Sequence, residues 1–257
     1  RRTLGYIMPV LALIFIAYAL AGPNLPMAIA HRGYSLERIC KFLATDLDGL
    51  FGTTMSVSAT VIFMFVMFGA FLEASGCSDF INDIAISLTG KIKSGPALSA
   101  VVASGLMGSI NGSAVANVVG TGTFTIPLMK SRGYKPQFAG GVEAVASTGG
   151  QIMPPIMGAA AFIMAEMTGY EYADIIVRAI LPAFLYFLGI FLGVHFKAKK
   201  LGLVGLKREE LPKWKLLLPK IYLLLPLIIL TWMVIAGQTM AKSAIYGTIV
   251  AIVVGII

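Results

Sequence analysis

Charge is what this sequence has least of. Asp, Glu, Lys and Arg make up 12% of its 257 residues, against about 25% in a soluble globular domain. With 58% hydrophobic residues and a mean hydropathy of +0.87, that scarcity excludes a water-soluble globular protein. Cysteine is also rare. Cys40 and Cys77 lie far apart with no second ligand cluster beside either, so neither a disulfide nor a thiolate metal site is argued, and both read as packing thiols. His31 and His195 stand alone near segment ends, no His/Cys/Asp group has metal-ligand spacing, and both read as interfacial anchors. A phosphate-binding Walker loop, a GxSxG nucleophile elbow and an HExxH motif are all missing. ATP-driven transport and hydrolysis by this chain therefore have no sequence support.

What is present suits lipid. The composition is that of a polytopic, all-α integral membrane protein, because only helices or closed barrels satisfy their backbone polar groups in hydrocarbon. A formal charge of +8 in a soluble protein suggests nucleic acid, but here no nucleic-acid partner is expected and the basic residues read as a topology signal. The chain begins Arg1-Arg2-Thr3 without an initiator Met and stops at Ile257 inside an apolar run, and is read as a fragment of a longer protein.

Apolar runs at 4–21, 55–72, 173–196 and 216–235 are each expected to cross a bilayer, with a further one from 244 onward. Residues 31–52 place Leu36, Ile39, Cys40, Leu43 and Leu47 opposite Glu37, Arg38, Lys41 and Asp48, the pattern of a helix lying in the membrane interface. A short amphipathic piece covers 80–88. The basic residues test this map. With Arg1 and Arg2 in the cytoplasm and each full segment crossing once, Lys91, Lys93, Lys130, Arg132, Lys135 and the cluster 197–220 all fall inside. Arg32, Arg38, Lys41 and Lys242 fall outside, with Arg178 near a helix end.

That parity holds only if the stretch 104–127, SGLMGSINGSAVANVVGTGTFTIP, enters and leaves on one side. Each of its arms is shorter than the roughly 20 residues a crossing needs. The stretch is therefore expected to be a re-entrant helical hairpin (95–128). Its tip carries Ser109, Asn111, Gly112 and Ser113, with Asn117 one turn on. Hydroxyl and amide oxygens, with carbonyls freed at Gly112, suit a hard monovalent cation such as Na⁺. The helix starting near Ser113 points its N-terminus into the same space, where an anion is stabilised. Gly105, Gly108, Gly112, Gly120 and Gly122 by themselves read as close-packing positions of an ordinary bundle. Asn111 shifts the balance to a binding site, because an amide in hydrocarbon is costly without partners.

A second interruption lies in 138–166. Here Ser147, Thr148, Gly149, Gly150, Gln151, Pro154 and Pro155 break a helix otherwise long enough to span, either as a second half of a site or as a proline kink shaped for packing. Glu143 precedes the break by a turn or two. An ionisable residue in a membrane helix is a functional candidate, so Glu143 is read either as a proton carrier or as a solvated interfacial group. Glu73 and Glu166 read as interfacial, and Tyr170, Tyr172, Tyr186 and Trp214 as aromatic belts.

The runs GLFGTTMSVSATVIFMFVMFGAFLEASG (49–76) and SGLMGSINGSAVANVVGTGTFTIPLMKSRGYKPQFAGGVEAVASTGGQIMPPIMGAAAFIMAE (104–166) resemble the large permease subunit of tripartite ATP-independent periplasmic (TRAP) transporters, most closely the type fused to the small subunit. The resemblance covers about 49–206 well; its signature is a GSxxAN hairpin followed by IPLMKxxGY and a PP break. It implies an elevator-type secondary transporter of the bacterial inner membrane. Such a permease takes an organic anion, often a carboxylate, from an extracytoplasmic solute-binding protein and imports it with a cation, commonly Na⁺. By position, Ser109, Asn111, Gly112, Ser113 and Asn117 would be hairpin-tip residues near cation and substrate, and Gly149, Gly150, Gln151, Pro154 and Pro155 the facing broken helix. The family has two inverted repeats, of which this chain shows the first. At Asn111 the chain departs from the Ser expected there.

The resulting expectation is a multi-pass helical bundle divided into a linking helix and interfacial helix (1–48), a first repeat (49–206), and a basic cytoplasmic loop with the start of the next helices (207–257). Its function is import of a small organic anion by Na⁺ or H⁺ symport, with no cofactor and no enzymatic activity. A re-entrant-loop channel or exporter independent of a binding protein is the alternative. An intramembrane enzyme would need a paired nucleophile and base or two facing aspartates at membrane depth, and the sequence offers neither.

Overall fold

The computed structural model describes residues 6–46 and 49–256. Arg1, Arg2, Leu4, Leu47, Asp48 and Ile257, which entered the segment and topology assignments, lie outside the described residues. Among the described residues all regular structure is helical. The chain divides into two compact units, Arg1–Ser58 and Ala59–Ile257.

In the first unit, α1 (Ile7–Ala21) ends at a 3-10 turn, Gly22–Asn24, where Pro23 removes a backbone donor. Its 15 residues rise about 22 Å at 1.5 Å each. That is short of a bilayer core, so the expected crossing at 4–21 is not complete within the described residues. The His31 ring pins the following loop: Nε2 lies 3.0 Å from the Tyr18 carbonyl, and Nδ1 accepts from the Gly33 N–H at 3.1 Å. The amphipathic helix expected in 31–52 is α2 (Leu36–Thr45), started by Ser35, whose hydroxyl accepts from the Arg38 N–H. A short α3 (Thr53–Val57) follows.

Among the described residues, three helices are long and apolar enough to cross a membrane. Met55–Ala74 combines α3, a π-helical turn Ser58–Ile62 and α4 (Phe63–Ala74). The second is α10 (Tyr172–Lys200), and the third is Trp214–Ile235. Between the first two lie α5 (Cys77–Thr89), α6 (Gly95–Asn111), α7 (Ala114–Ser131), α8 (Pro136–Gly149) and α9 (Ala159–Thr168). The third span consists of α11 (Trp214–Leu217), a 3-10 stretch Leu218–Leu224 and α12 (Leu225–Ile235), and α13 (Met240–Ile256) closes the described chain.

The second unit is built around α6, which is buried along almost its whole length and packs against α5, α7, α8 and α10. Small residues make this possible: Ala97, Ala100, Ala139, Ala146 and Ala198 are buried with Leu98, Val101, Met129 and Val194 in one core cluster. In lipid, helix association rests on close packing rather than on escape from water, so small side chains at the contact do what large apolar ones do in soluble cores. Elsewhere α13 lies against α4 and α12, with Gly247 facing Phe68 and Leu230. Cys77 is buried at the start of α5, and burial pushes its thiol up to about 12, as befits an inert packing residue.

The loop after α10 folds back onto the α5–α6 turn. Leu206 N–H donates to the Gly90 carbonyl at 2.8 Å, and Gly205 sits so close to Lys91 that a Cβ would lie 2.4 Å from its carbonyl oxygen. Arg132, just after α7, donates to Glu210 at 2.7 Å, the one ion pair among the described residues. Two basic loops, 130–135 and 197–213, are thereby tied together.

Candidate functional site

The hairpin and the interrupted helix are both present, and they meet. At the tip, α6 ends on Gly112, whose φ of 61° is the left-handed cap that glycine adopts without a Cβ penalty. The chain reverses at once: Ser113 is the N-cap of α7, its hydroxyl accepting from the Ala116 N–H at 3.3 Å. Asn111 Oδ1 accepts from the Ser113 N–H at 3.2 Å, and the Ser109 hydroxyl donates to the Leu106 carbonyl at 2.7 Å. A helix C-terminus and a helix N-terminus thus lie side by side, the first offering carbonyl oxygens to a cation and the second offering N–H groups to an anion.

The interruption lies against this tip. After α8 a 3-10 turn, Gly150–Ile152, leads into an irregular run to Gly158, with a cis peptide between Pro154 and Pro155. Gly108 and Gly150 touch backbone to backbone. Ile156 N–H donates to the Ser109 carbonyl at 3.2 Å, and Gly158 N–H to the Gln151 carbonyl at 2.7 Å. Met157, beside Gly112, has a φ of 61°, an uncommon conformation for a residue with a long side chain. The segment is held from behind by Tyr172, whose hydroxyl donates to the Ile156 carbonyl and whose ring stacks on Phe162 at 4.9 Å. Tyr172 is therefore buried support for the break and not part of an aromatic belt, a correction to its reading from sequence: the partner its hydroxyl needs is a carbonyl 16 residues away.

Of the residues singled out from sequence, Ser109, Gly112, Gly150 and Gly108 come together at the contact, with Asn111 and Ser113 at its edge. Gly149 is occupied differently, packed against the Tyr186 ring so tightly that a Cβ would lie 2.4 Å from it. The Gln151 side chain is exposed, and Pro154 and Pro155 are half-buried. A cavity of about 10 Å³ adjoins Asn111, lined also by Gly69, Leu72, Glu73, Ser78 and Met107, and the Ser78 hydroxyl is without a partner. Among the described residues no group of three His, Cys, Asp or Glu is placed to hold a metal.

Below the tip the structure reveals a polar column. Ser113, Asn117, Thr121 and Thr125 recur every fourth residue of α7 and so share one face. Asn117 is buried, its Nδ2 donating to the Ser104 carbonyl at 2.7 Å while its Oδ1 has no partner. Glu143, for which solvation at the interface was one of two readings, is fully buried. Its Oε1 accepts from Ser104 at 2.7 Å, Thr121 at 2.5 Å and Ser147 at 3.0 Å, and its Oε2 from Thr125 at 2.5 Å. Both arms of the hairpin and the first half of the interrupted helix are joined through this one carboxylate. Ser104, Thr121 and Thr125 were not among the residues selected from sequence. The fourfold spacing of polar residues along α7 was the signal available.

The family model described as the tripartite ATP-independent periplasmic transporter, DctM component, matches residues 1–257. Among curated proteins, the chain is 26% identical over 211 residues to the C4-dicarboxylate TRAP transporter large permease protein DctM of Pseudomonas aeruginosa, covering 80% of this chain and 49% of that protein. It is 28% identical over 206 residues to the 2,3-diketo-L-gulonate TRAP transporter large permease protein YiaN of Escherichia coli, covering 77% and 48%. It is 25% identical over 218 residues to the isethionate TRAP transporter permease protein DctMQ of Oleidesulfovibrio alaskensis, covering 81% and 33%. The chain thus spans half or less of the length of these relatives.

Proposed function

The chain belongs to the family of DctM components of tripartite ATP-independent periplasmic transporters, and from that premise we propose that it is the first-repeat portion of a permease that imports a small organic anion by cation symport. The family is one of transporter permeases and not of enzymes. The observation that carries the proposal is the meeting of Gly108 and Gly150, which sets the hairpin tip against the interrupted helix at one place. Discontinuous helices with opposed ends are the recurring means by which secondary transporters bind ions and anionic substrates at once.

In this reading the hairpin 95–128 is re-entrant from the cytoplasmic side of a bacterial inner membrane. Ser109, Asn111 and Ser113 supply oxygens to the coupling cation, the α7 N-terminus and Asn117 face the substrate side, and Gly149, Gly150, Gln151, Pro154 and Pro155 form the opposing wall. The linking segment 1–48, the repeat 49–206 and the basic loop with the helices after it (207–257) are its parts. A second, inverted repeat completes the site, and the small and large membrane subunits are fused in one chain. An extracytoplasmic solute-binding protein delivers a carboxylate or a related small anion, the class to which the substrates named for the relatives belong.

The test is uptake into proteoliposomes holding the full-length permease, with its binding protein outside and C4-dicarboxylates, isethionate and 2,3-diketogulonate as labelled probes. Accumulation that needs both a cation gradient and the binding protein supports the reading. Gradient-independent flux overturns it in favour of a channel.

A further inference from the structure

The cation site proposed at the hairpin tip gives no role to Glu143, a fully buried carboxylate enclosed by four hydroxyls. Glu143, Ser104 and Ser147 are 0% exposed, and Thr121 and Thr125 are 1% exposed. No Lys, Arg or His among the described residues lies within ion-pair distance of the carboxylate; the single pair is Arg132–Glu210. A buried carboxylate without a cation needs either a proton or a full set of hydrogen bonds. Here both are provided for by the same atoms.

The hydroxyl protons, one on each Ser or Thr, allow both states. Thr121 Oγ1 stands 2.5 Å from Glu143 Oε1 and 2.8 Å from the Asn117 carbonyl. Thr125 Oγ1 stands 2.5 Å from Oε2 and 3.0 Å from the Thr121 carbonyl. With Glu143 ionised, Ser104, Thr121, Thr125 and Ser147 all donate to it. With Glu143 neutral, its own O–H donates from Oε2 to Thr125 Oγ1, and the Thr125 proton turns to the Thr121 carbonyl. Ser104 and Ser147 continue to donate to Oε1, and Thr121 has the Asn117 carbonyl as a second acceptor. Either state is satisfied by rotating hydroxyls, with no heavy atom displaced.

We propose that Glu143 is a proton-binding site, taking up and releasing the coupling proton of the transport cycle. This rests on the symport reading above and assigns it a proton in addition to any ion at the tip. The step is an acid dissociation: the O–H bond at Oε2 forms with a proton taken from water on one side of the membrane and breaks by returning it to water on the other. Because no Glu143 oxygen reaches solvent, exchange requires the hairpin to part from α8, so proton transfer and opening of the Gly108–Gly150 contact are one event. The charged neighbours are few. No residue of α6 or of the turn Gly150–Ile152 is titratable, and α7 has Lys130 alone, exposed in its last turn. From α10, Tyr186 donates to the Val145 carbonyl and Lys197 lies over the Phe138 ring. His195 is turned to Ser94.

The experiment uses the full-length permease in liposomes, wild type and Glu143→Gln. Glutamine keeps the shape of the neutral acid but has no exchangeable acid proton. Expected is loss, by tenfold or more, of accumulation driven by a pH gradient, with counterflow exchange of the same labelled C4-dicarboxylate kept within twofold, since exchange needs no net proton movement. Wild-type pH-driven accumulation in the variant overturns the proposal and leaves Glu143 a structural hub. If the variant loses counterflow as well, infrared difference spectra of the wild type decide. A carboxylic C=O band that changes on raising pH, shifts in D₂O and is missing from Glu143→Gln supports the site; no titrating band in the wild type overturns it. A wild type that transports nothing under any gradient removes the symport reading instead, while the infrared measurement still reports on the proton site.

Discussion

Gly108 of α6 and Gly150 after α8 meet so closely that a Cβ placed on Gly150 would lie 2.4 Å from the Gly108 Cα. This is backbone against backbone, and a Cβ on Gly108 would also meet the Asn117 amide at 2.8 Å. Gly108→Ala and Gly150→Ala are each expected to destabilise the folded permease by about 1–3 kcal/mol, the usual cost of overpacking. The two changes prise apart the same contact, so the double variant should cost less than the sum. Thermal unfolding of both single variants and the double variant in detergent checks this, and strict additivity would count against a shared contact.

At the tip, conformation and chemistry can be separated at Ser113. The hydroxyl caps α7, so Ser113→Ala should cost about 1 kcal/mol in stability and Ser113→Gly only a few tenths. If Ser113 also contributes an oxygen to the cation, both variants lower cation-dependent uptake alike despite their different stabilities. Asn111→Ala should do the same without loss of folded protein. Wild-type cation dependence in Asn111→Ala and Ser113→Ala would sink the assignment.

Gly112 combines a left-handed φ of 61° with a Met157 carbonyl that would lie 2.3 Å from any Cβ. Gly112→Ala should therefore separate the tip from the interrupted segment and abolish uptake while leaving α6 and α7 helical. Faster amide exchange at Ile156 and Gly158, whose N–H groups bond Ser109 and Gln151, is the local measurement.

The hydroxyl cage makes a stability prediction of its own. Thr125→Val preserves shape but takes from Glu143 Oε2 its one hydroxyl partner among the described residues. It is expected to destabilise by about 1–3 kcal/mol, as for other buried groups left unpaired. The exposed Thr123→Val, whose hydroxyl bonds only the Gly120 carbonyl, should change stability little and serves as the control.

Between the loops that follow α7 and α10, the Arg132 side chain, and after it the Lys207 N–H, donate to Glu210 and hold its carboxyl below the usual carboxylate range. A lowered value means that the tether is in place above about pH 4.3, the ordinary carboxylate value, and is lost as pH falls through the folded value beneath it. Both groups are partly exposed, so the effect on global unfolding should be slight. Glu210→Gln at neutral pH should raise amide exchange at Lys207 and Glu210 with little change in Tm. Unchanged exchange there would show that the loop is held by the Leu206–Gly90 bond instead.

How much of this was legible in the residues varies with the range of the interaction concerned. The helical hairpin could be read because its signals are local: arms too short to span, Asn111-Gly112-Ser113 between them, and Gly112 as the αL cap. The interruption could be read from Gly149-Gly150 and Pro154-Pro155 in the same way. Hydrophobic length likewise located the spans Met55–Ala74, Tyr172–Lys200 and Trp214–Ile235 to within a few residues of their observed ends.

What composition and local pattern determined, then, is an all-helical membrane protein with a hairpin and an interrupted helix, because backbone hydrogen bonding in hydrocarbon leaves few other solutions. Only the tertiary structure decided which polar residues matter to one another. Glu143 was visible as a charge in an apolar helix, but its state depends on Ser104, Thr121 and Thr125, which are 18 to 39 residues away and reach it only once both hairpin arms pack on α8. Tyr172 was mistaken for a belt residue for the same reason. The burial of a polar group, and the partner that compensates it, are properties of the packed assembly and are not written in any single helix.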